Sequence, residues 1–208
     1  MSQAKDGMNY APTSAKPIPV VKPGEFIFAA AHLDHGHING QCRGLTEAGA
    51  TLKYVYDPDP QKVANFCKNF PQAKPVDSLD VILDDPEIKL VTAAAIPNER
   101  GPIGCRVMKA GKDYFTDKCP FTSLALLEEA EKVVAETGRK YIVNYSERLH
   151  VESAWYVDSL IQGGAIGDIV HMEIFGPHLL RKESRPAWFF DKKRYGGILT
   201  DIASHQFD

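Results

Sequence analysis

The sequence predicts an α/β fold, a doubly wound parallel sheet followed by the start of a second domain. Three observations carry this. Short apolar strands alternate with longer helical stretches from Glu25 to about Ser146, the βαβ pattern of a parallel sheet. Those strands are apolar almost throughout, as burial on both faces requires. After Asn144 the pattern changes to a helix, an alternating strand and a charged loop.

The elements follow in order. "EFIFAAA" (25–31) has strand length. "INGQCRGLTEAG" has helical spacing and stops on Gly49. "TLKYVYDPDP" is a strand closed by an Asp-Pro turn, and "PQKVANFCKNF" a helix with Asp59 as N-cap and Pro60 in the first position. "SLDVILDDPEI" reads as a short helix and turn, and "KLVTAAAI" as a strand ending at Pro97. "RGPIGCRVMKAG" is a helix stopped by Gly111, and "DYFTDK" a short strand. "SLALLEEAEKVVAETG" is an amphipathic helix from Ser123 to Gly138, and "KYIVNYS" another strand. Beyond the switch, "AWYVDSLIQGGAIG" reads as a helix, "DIVHMEIFGPHL" (168–179) as an alternating strand and "ILTDIASHQFD" as a helix. One strand and two helices cannot bury a sheet face alone, so the chain is expected to be a fragment of a longer protein. The organisation predicted is an arm (1–24), a parallel-sheet domain (25–145) and an incomplete second domain (146–208).

Of the 208 residues, 44% are hydrophobic and 25% charged, an ordinary globular composition. The formal charge of -3 offers no basic surface for nucleic acid. The four cysteines show no CxxC spacing, which argues against a zinc site or a disulfide framework and for a reducing, cytoplasmic setting. No apolar run reaches membrane-spanning length. Residues 1–24 lack the apolar core of a signal peptide and are rich in Pro, Ala, Lys and Ser. They read as a flexible arm or as a segment that packs on a partner subunit.

Three motifs could carry chemistry. "HLDHGH", comprising His32, Leu33, Asp34, His35, Gly36 and His37, follows the first strand, where a βα turn offers N–H groups to a pyrophosphate. In the matching register His32, Asp34 and His37 stand where a glycine fingerprint has its three glycines. Asp57 closes the second strand about twenty residues on, the place of an acid that binds an adenosine ribose. The competing reading is a metal site, since the histidines and Asp34 are ligand types. Neighbours in a tight turn diverge and no distant ligand is evident, so no metal is expected. Lys118 sits at the carboxyl end of a strand, where it could stabilise alkoxide charge or be a solvated surface lysine. Asp201 and His205 are four apart, either an acid orienting a general base on one helix face or a capping Asp with a core-facing His.

In order along the chain stand "YVYDPDPQKVANF", "AAIPNER", "AGKDYFTDKCP", "NYSERL", "LIQGGAIGDIVHMEI" and "GGILTDIASHQFD". Together these resemble the Gfo/Idh/MocA family of glucose–fructose oxidoreductase and inositol dehydrogenase type, from about Glu25 to the last residue. The resemblance implies a Rossmann domain for NAD or NADP and a C-terminal α+β domain whose open, mostly antiparallel sheet carries the substrate site and the dimer face. It implies Lys118, Asp201 and His205 as catalytic residues, Pro97 and Asn98 as the turn beside the nicotinamide ribose, and Asp57 as the ribose acid, which favours NAD over NADP. Lys118 is also placed beside the cofactor. The implied partners are a sugar or polyol substrate and, in the full-length form, further copies of the same chain. Departures are Cys119 for the proline after the lysine, Gly101 for a histidine and Ala203 for a glycine. The expected activity is hydride transfer between a sugar, polyol or related hydroxy compound and the nicotinamide. Alternatives are an NAD-dependent glycosidase of the same fold and a non-catalytic nucleotide-binding regulator.

Overall fold

The structure, a computed structural model, describes residues 18–147 and 151–208. Six strands, β1 (Ile27–Ala31), β2 (Thr51–Tyr56), β3 (Lys74–Pro75), β4 (Ile88–Ala93), β5 (Asp113–Asp117) and β6 (Tyr141–Asn144), form one sheet in the order β3-β2-β1-β4-β5-β6. Every pairing is parallel. The helices are α1 (His37–Glu47), α2 (Pro60–Asn69), α3 (Leu79–Asp84), α4 (Pro97–Lys109) and α5 (Leu124–Thr137).

Along β1 successive residues feed opposite faces. Ala29 and Ala31 join a core with α3, α4 and α5, whereas Phe28 and Ala30 join one with α1 and α2. Two-sided burial is why the strand reads as an unbroken apolar run. The strand order reverses between β1 and β4, and a crevice at the carboxyl ends of these strands is where open α/β sheets bind ligands.

Several helix signals hold at the level of atoms. Asp59 caps α2 by accepting from the Gln61 N–H at 2.8 Å, and α5 ends on Gly138 in the left-handed conformation. Gly49, with φ +100°, follows α1, and a Cβ there would lie 2.1 Å from the Val21 carbonyl oxygen.

That contact corrects the expected arm. Val20 and Val21 donate to the Ala48 carbonyl, so this end of the segment is tied to the α1–β2 junction. The first 17 positions of the expected arm lie outside the described residues. Helix α4 begins at Pro97, three residues before the expected start, with proline in the first position where its missing N–H costs nothing. The two-residue edge strand β3 is too short to leave a periodic signal.

The second region holds α6 (Glu152–Gln162) and the short helices α7 (Lys192–Tyr195), α8 (Ile198–Asp201) and α9 (Ser204–Phe207). Residues 168–179 form no strand, contrary to the expected start of an antiparallel sheet. A strand needs a ladder partner for its N–H and C=O groups, and no other strand is described after β6. Trp155, Tyr156, Val170 and Phe175 are exposed there. No helix among the described residues is long and apolar enough to cross a membrane.

Candidate active site

The end of β5 meets the final helices. Lys118 Nζ donates to Asp201 Oδ1 at 2.7 Å, and both side chains are nearly buried. An ion pair this deep loses in desolvation much of what it gains in attraction, so its clearest effect is to hold the ammonium in place. His205 lines the same cavity, about 170 Å³ in volume, together with His35, His37, Asp117, Lys118 and Asp201. The three residues expected to act together are therefore brought together.

Their pairing differs from expectation. Asp201 faces Lys118, and the acid beside His205 is Glu147, whose Oε2 lies 2.6 Å from Nδ1. The stretch 198–208 is two separate helical turns, α8 and α9, so a four-residue spacing no longer fixes which side chains meet. Burial works to raise the Glu147 carboxyl pKa, but the hydrogen bond and charge of His205 more than offset it and hold it at about 2.

The loop after β1 is built from its own side chains. His32 has φ +54°, a left-handed conformation that costs a non-glycine residue about 1–2 kcal/mol, and it stands where the first glycine of the fingerprint would. Its backbone zips to the end of β4: Ala94 N–H donates to His32 O and His35 N–H to Ala94 O, each at 3.0 Å. Asp34 turns away from α1 to pair with Lys62 at 2.6 Å. Asp57 is buried at the end of β2 and accepts the Leu33 N–H at 2.6 Å and the Asp59 N–H at 2.8 Å. Burial lowers the His32 pKa against the pull of Asp57 and Asp34. It lowers that of His35 too, against Asp117.

Three residues that sequence reasoning missed organise this region. Asp117 is fully buried, with His35 Nδ1 at 2.9 Å, His37 Nδ1 at 2.8 Å and Arg100 Nη2 at 3.1 Å from its carboxylate. Burial alone would raise its pKa, but the two histidines and the guanidinium hold it well below the usual carboxylate range. Buried Arg100 also donates to the carbonyls of Ala95, Lys118 and Cys119, so it fixes the backbone that carries the lysine. Glu147 is the third. The available signal for Arg100 was a charge in register with Gly104 and Val107 on the buried stripe of α4. Nothing local marks Asp117 or Glu147, whose partners are distant in sequence.

The residues expected at the cofactor lie at or just after the carboxyl ends of β2, β4 and β5. Asp57 follows β2, Pro97 and Asn98 open α4, and Lys118 follows β5. Asn98 Oδ1 is buried with no hydrogen-bond partner, an orphaned acceptor that suits a ligand hydroxyl or amide.

Comparison with known proteins bears on the fold and the family. A family model described as "Oxidoreductase family, NAD-binding Rossmann fold" matches residues 28–145, and one for the GFO/IDH/MocA C-terminal domain matches residues 155–208. An uncharacterized oxidoreductase of Synechocystis sp. is 26% identical over 159 residues, 74% of this chain and 42% of that protein. D-xylose dehydrogenase of Paenarthrobacter nicotinovorans is 25% identical over 132 residues, 61% of this chain and 34% of that protein. Among solved structures, an oxidoreductase by provisional assignment from Erwinia carotovora atroseptica SCRI1043 superposes with a TM-score of 0.79 at 39% identity, covering 88% of this chain and 54% of that one. The WlbA dehydrogenase of Bordetella pertussis, solved with NADH and UDP-GlcNAcA, gives 0.74 at 19% identity, covering 91% and 56%. At that identity the likeness shows the fold alone. The chain thus spans about half the length of these relatives or less. With both family models aligned in order over the parallel sheet and the segment beyond it, the chain belongs to the Gfo/Idh/MocA family of oxidoreductases, with an NAD-binding Rossmann fold.

Proposed function

We propose that this chain is the cofactor and active-site portion of an NAD-dependent dehydrogenase that oxidises a hydroxyl carbon of a sugar, polyol or related compound. The observation that supports it most is the Lys118–Asp201 pair sharing one cavity with His205. D-xylose dehydrogenase among the relatives supports the substrate class.

Each residue then has a task. Glu147 lies against His205 Nδ1, which leaves Nε2 to accept the substrate hydroxyl proton. Lys118, held by Asp201, places positive charge where the alkoxide develops. Asn98 and Asp57 would hold the nicotinamide and adenosine riboses, and the 32–37 turn would face the pyrophosphate. NAD, when bound, supplies the hydride acceptor.

The test is NADH formation by a protein carrying this chain, against a panel of sugars and polyols, with NAD binding measured by titration. His205→Ala should cost on the order of 10²–10⁴-fold in turnover, the usual worth of a general base, and leave NAD affinity nearly unchanged. Lys118→Ala should also cut turnover, and the double variant should lose less than the product of the two. Near-normal turnover in His205→Ala, or no NAD binding, would defeat the proposal. NAD-dependent cleavage of a glycoside without net NADH would point instead to a glycosidase.

A further inference from the structure

We infer that His35, His37 and Asp117 form a site for one divalent transition-metal ion of the zinc class, beside Lys118. The sequence argued against a metal because the turn offered no distant ligand. Asp117, 80 residues beyond His37, is that ligand.

The geometry supports it in three ways. First, His35-Gly36-His37 sends both imidazoles to one carboxylate, and a ligand atom from each of the three residues lies within 4.8 Å of the others. An ion bound at about 2.0–2.2 Å from nitrogen and oxygen requires such a cluster. Second, His35 Nδ1 is buried and 2.9 Å from Asp117 Oδ2, yet it makes no aligned hydrogen bond. Third, the carboxylate has outer support, with Arg100 Nη2 on Oδ2 and the Lys118 N–H on Oδ1. Metal-binding carboxylates need such partners to stay oriented.

The donor set selects the metal. Two imidazoles and one carboxylate suit zinc and its first-row neighbours, while magnesium and calcium favour all-oxygen shells. Arg100 and Lys118 bring two positive charges close by, balanced by the carboxylates of Asp117 and Asp201. All three ligands line the cavity, so a water or a ligand oxygen can complete the coordination from there.

The experiment strips the chain with a chelator and titrates it with zinc chloride by calorimetry, then with cobalt chloride by visible absorption. About one equivalent of zinc is expected, with d–d bands for cobalt and no saturable magnesium binding. His35→Ala and His37→Ala should each weaken zinc by about 100-fold or more, because losing a ligand costs more than losing an outer partner. His171→Ala, in an exposed pair with Glu173, should leave zinc binding unchanged. Circular dichroism checks that each variant is folded, and the cobalt spectrum of the unsubstituted chain gives an answer that needs no variant. Failure to bind zinc, magnesium binding as tight as zinc, or unchanged zinc affinity in the double histidine variant would overturn the site and leave a proton-only network around Asp117. NAD titration is run separately, so failure of the dehydrogenase reading stays distinguishable from failure of the metal site.

Discussion

Arg100→Met is the most informative single change to the scaffold. The methionine fills part of the space but leaves the Ala95, Lys118 and Cys119 carbonyls without their donor and deprives Asp117 of its guanidinium. Each buried acceptor left unpaired costs about 1–3 kcal/mol, and breaking a buried ion pair about 3–5 kcal/mol. The effects overlap, because the same carboxylate keeps His37 and the Lys118 N–H, and coupled sites do not add. A loss of at least about 4 kcal/mol is expected, against a total stability of about 5–15 kcal/mol for a domain. With a urea dependence near ~2 kcal/mol/M, the unfolding midpoint should fall by about 2 M, read by circular dichroism at neutral pH. Arg100→Lys restores a charge without the planar fork and should recover only part of the shift. A midpoint change below ~0.5 M in Arg100→Met would refute the claim that this guanidinium holds the end of β5 in place.

Other outcomes follow from the same contacts. Glu147 has its pKa depressed from the ordinary 4.5 to about 2, so the His205 contact adds stability above pH 4.5 that is lost as the pH falls toward 2. The stability difference between the parent and Glu147→Gln, followed by urea unfolding across that range, should shrink with acid, and a difference constant with pH would contradict it. Asp57 at the end of β2 should disfavour a 2′-phosphate, so NAD should bind more tightly than NADP, and the reverse order would remove Asp57 from the ribose site. Residues 168–179, exposed and without ladder partners, should exchange amide hydrogens far faster than β1 and β4, and equal protection would show that they pair in solution.

The sheet was legible in the sequence because its signals are local. Asp59 and Pro60 announce α2 and Gly138 ends α5, while β1 and β4 read as unbroken apolar runs because both faces are buried. The residues 168–179 misled for the opposite reason. Alternation says which side of a strand would be wet but not whether a partner exists to pair with it. Lys118, Asp201 and His205 were singled out from motif positions, yet Asp201 was assigned to His205 from a helical spacing that α8 and α9 do not keep, and it faces Lys118 instead. Asp117 stayed hidden because its meaning depends on His35, His37 and Arg100 arriving from two other elements.

The arrangement around Asp117 has a consequence for anyone who would re-engineer the cofactor loop. Restoring a glycine fingerprint at positions 32, 34 and 37 would relax the backbone at His32 but would also delete His37, a donor to a carboxylate with no exposure to water. The graft would also take from Lys62 its nearer carboxylate, Asp34, leaving it only the longer contact with Asp57. A loop transplanted from a glycine-rich relative therefore has to carry its own residue for position 117. Loop and strand end behave as one exchangeable cassette, and chimeras that cut between them should fold less well than chimeras that move both.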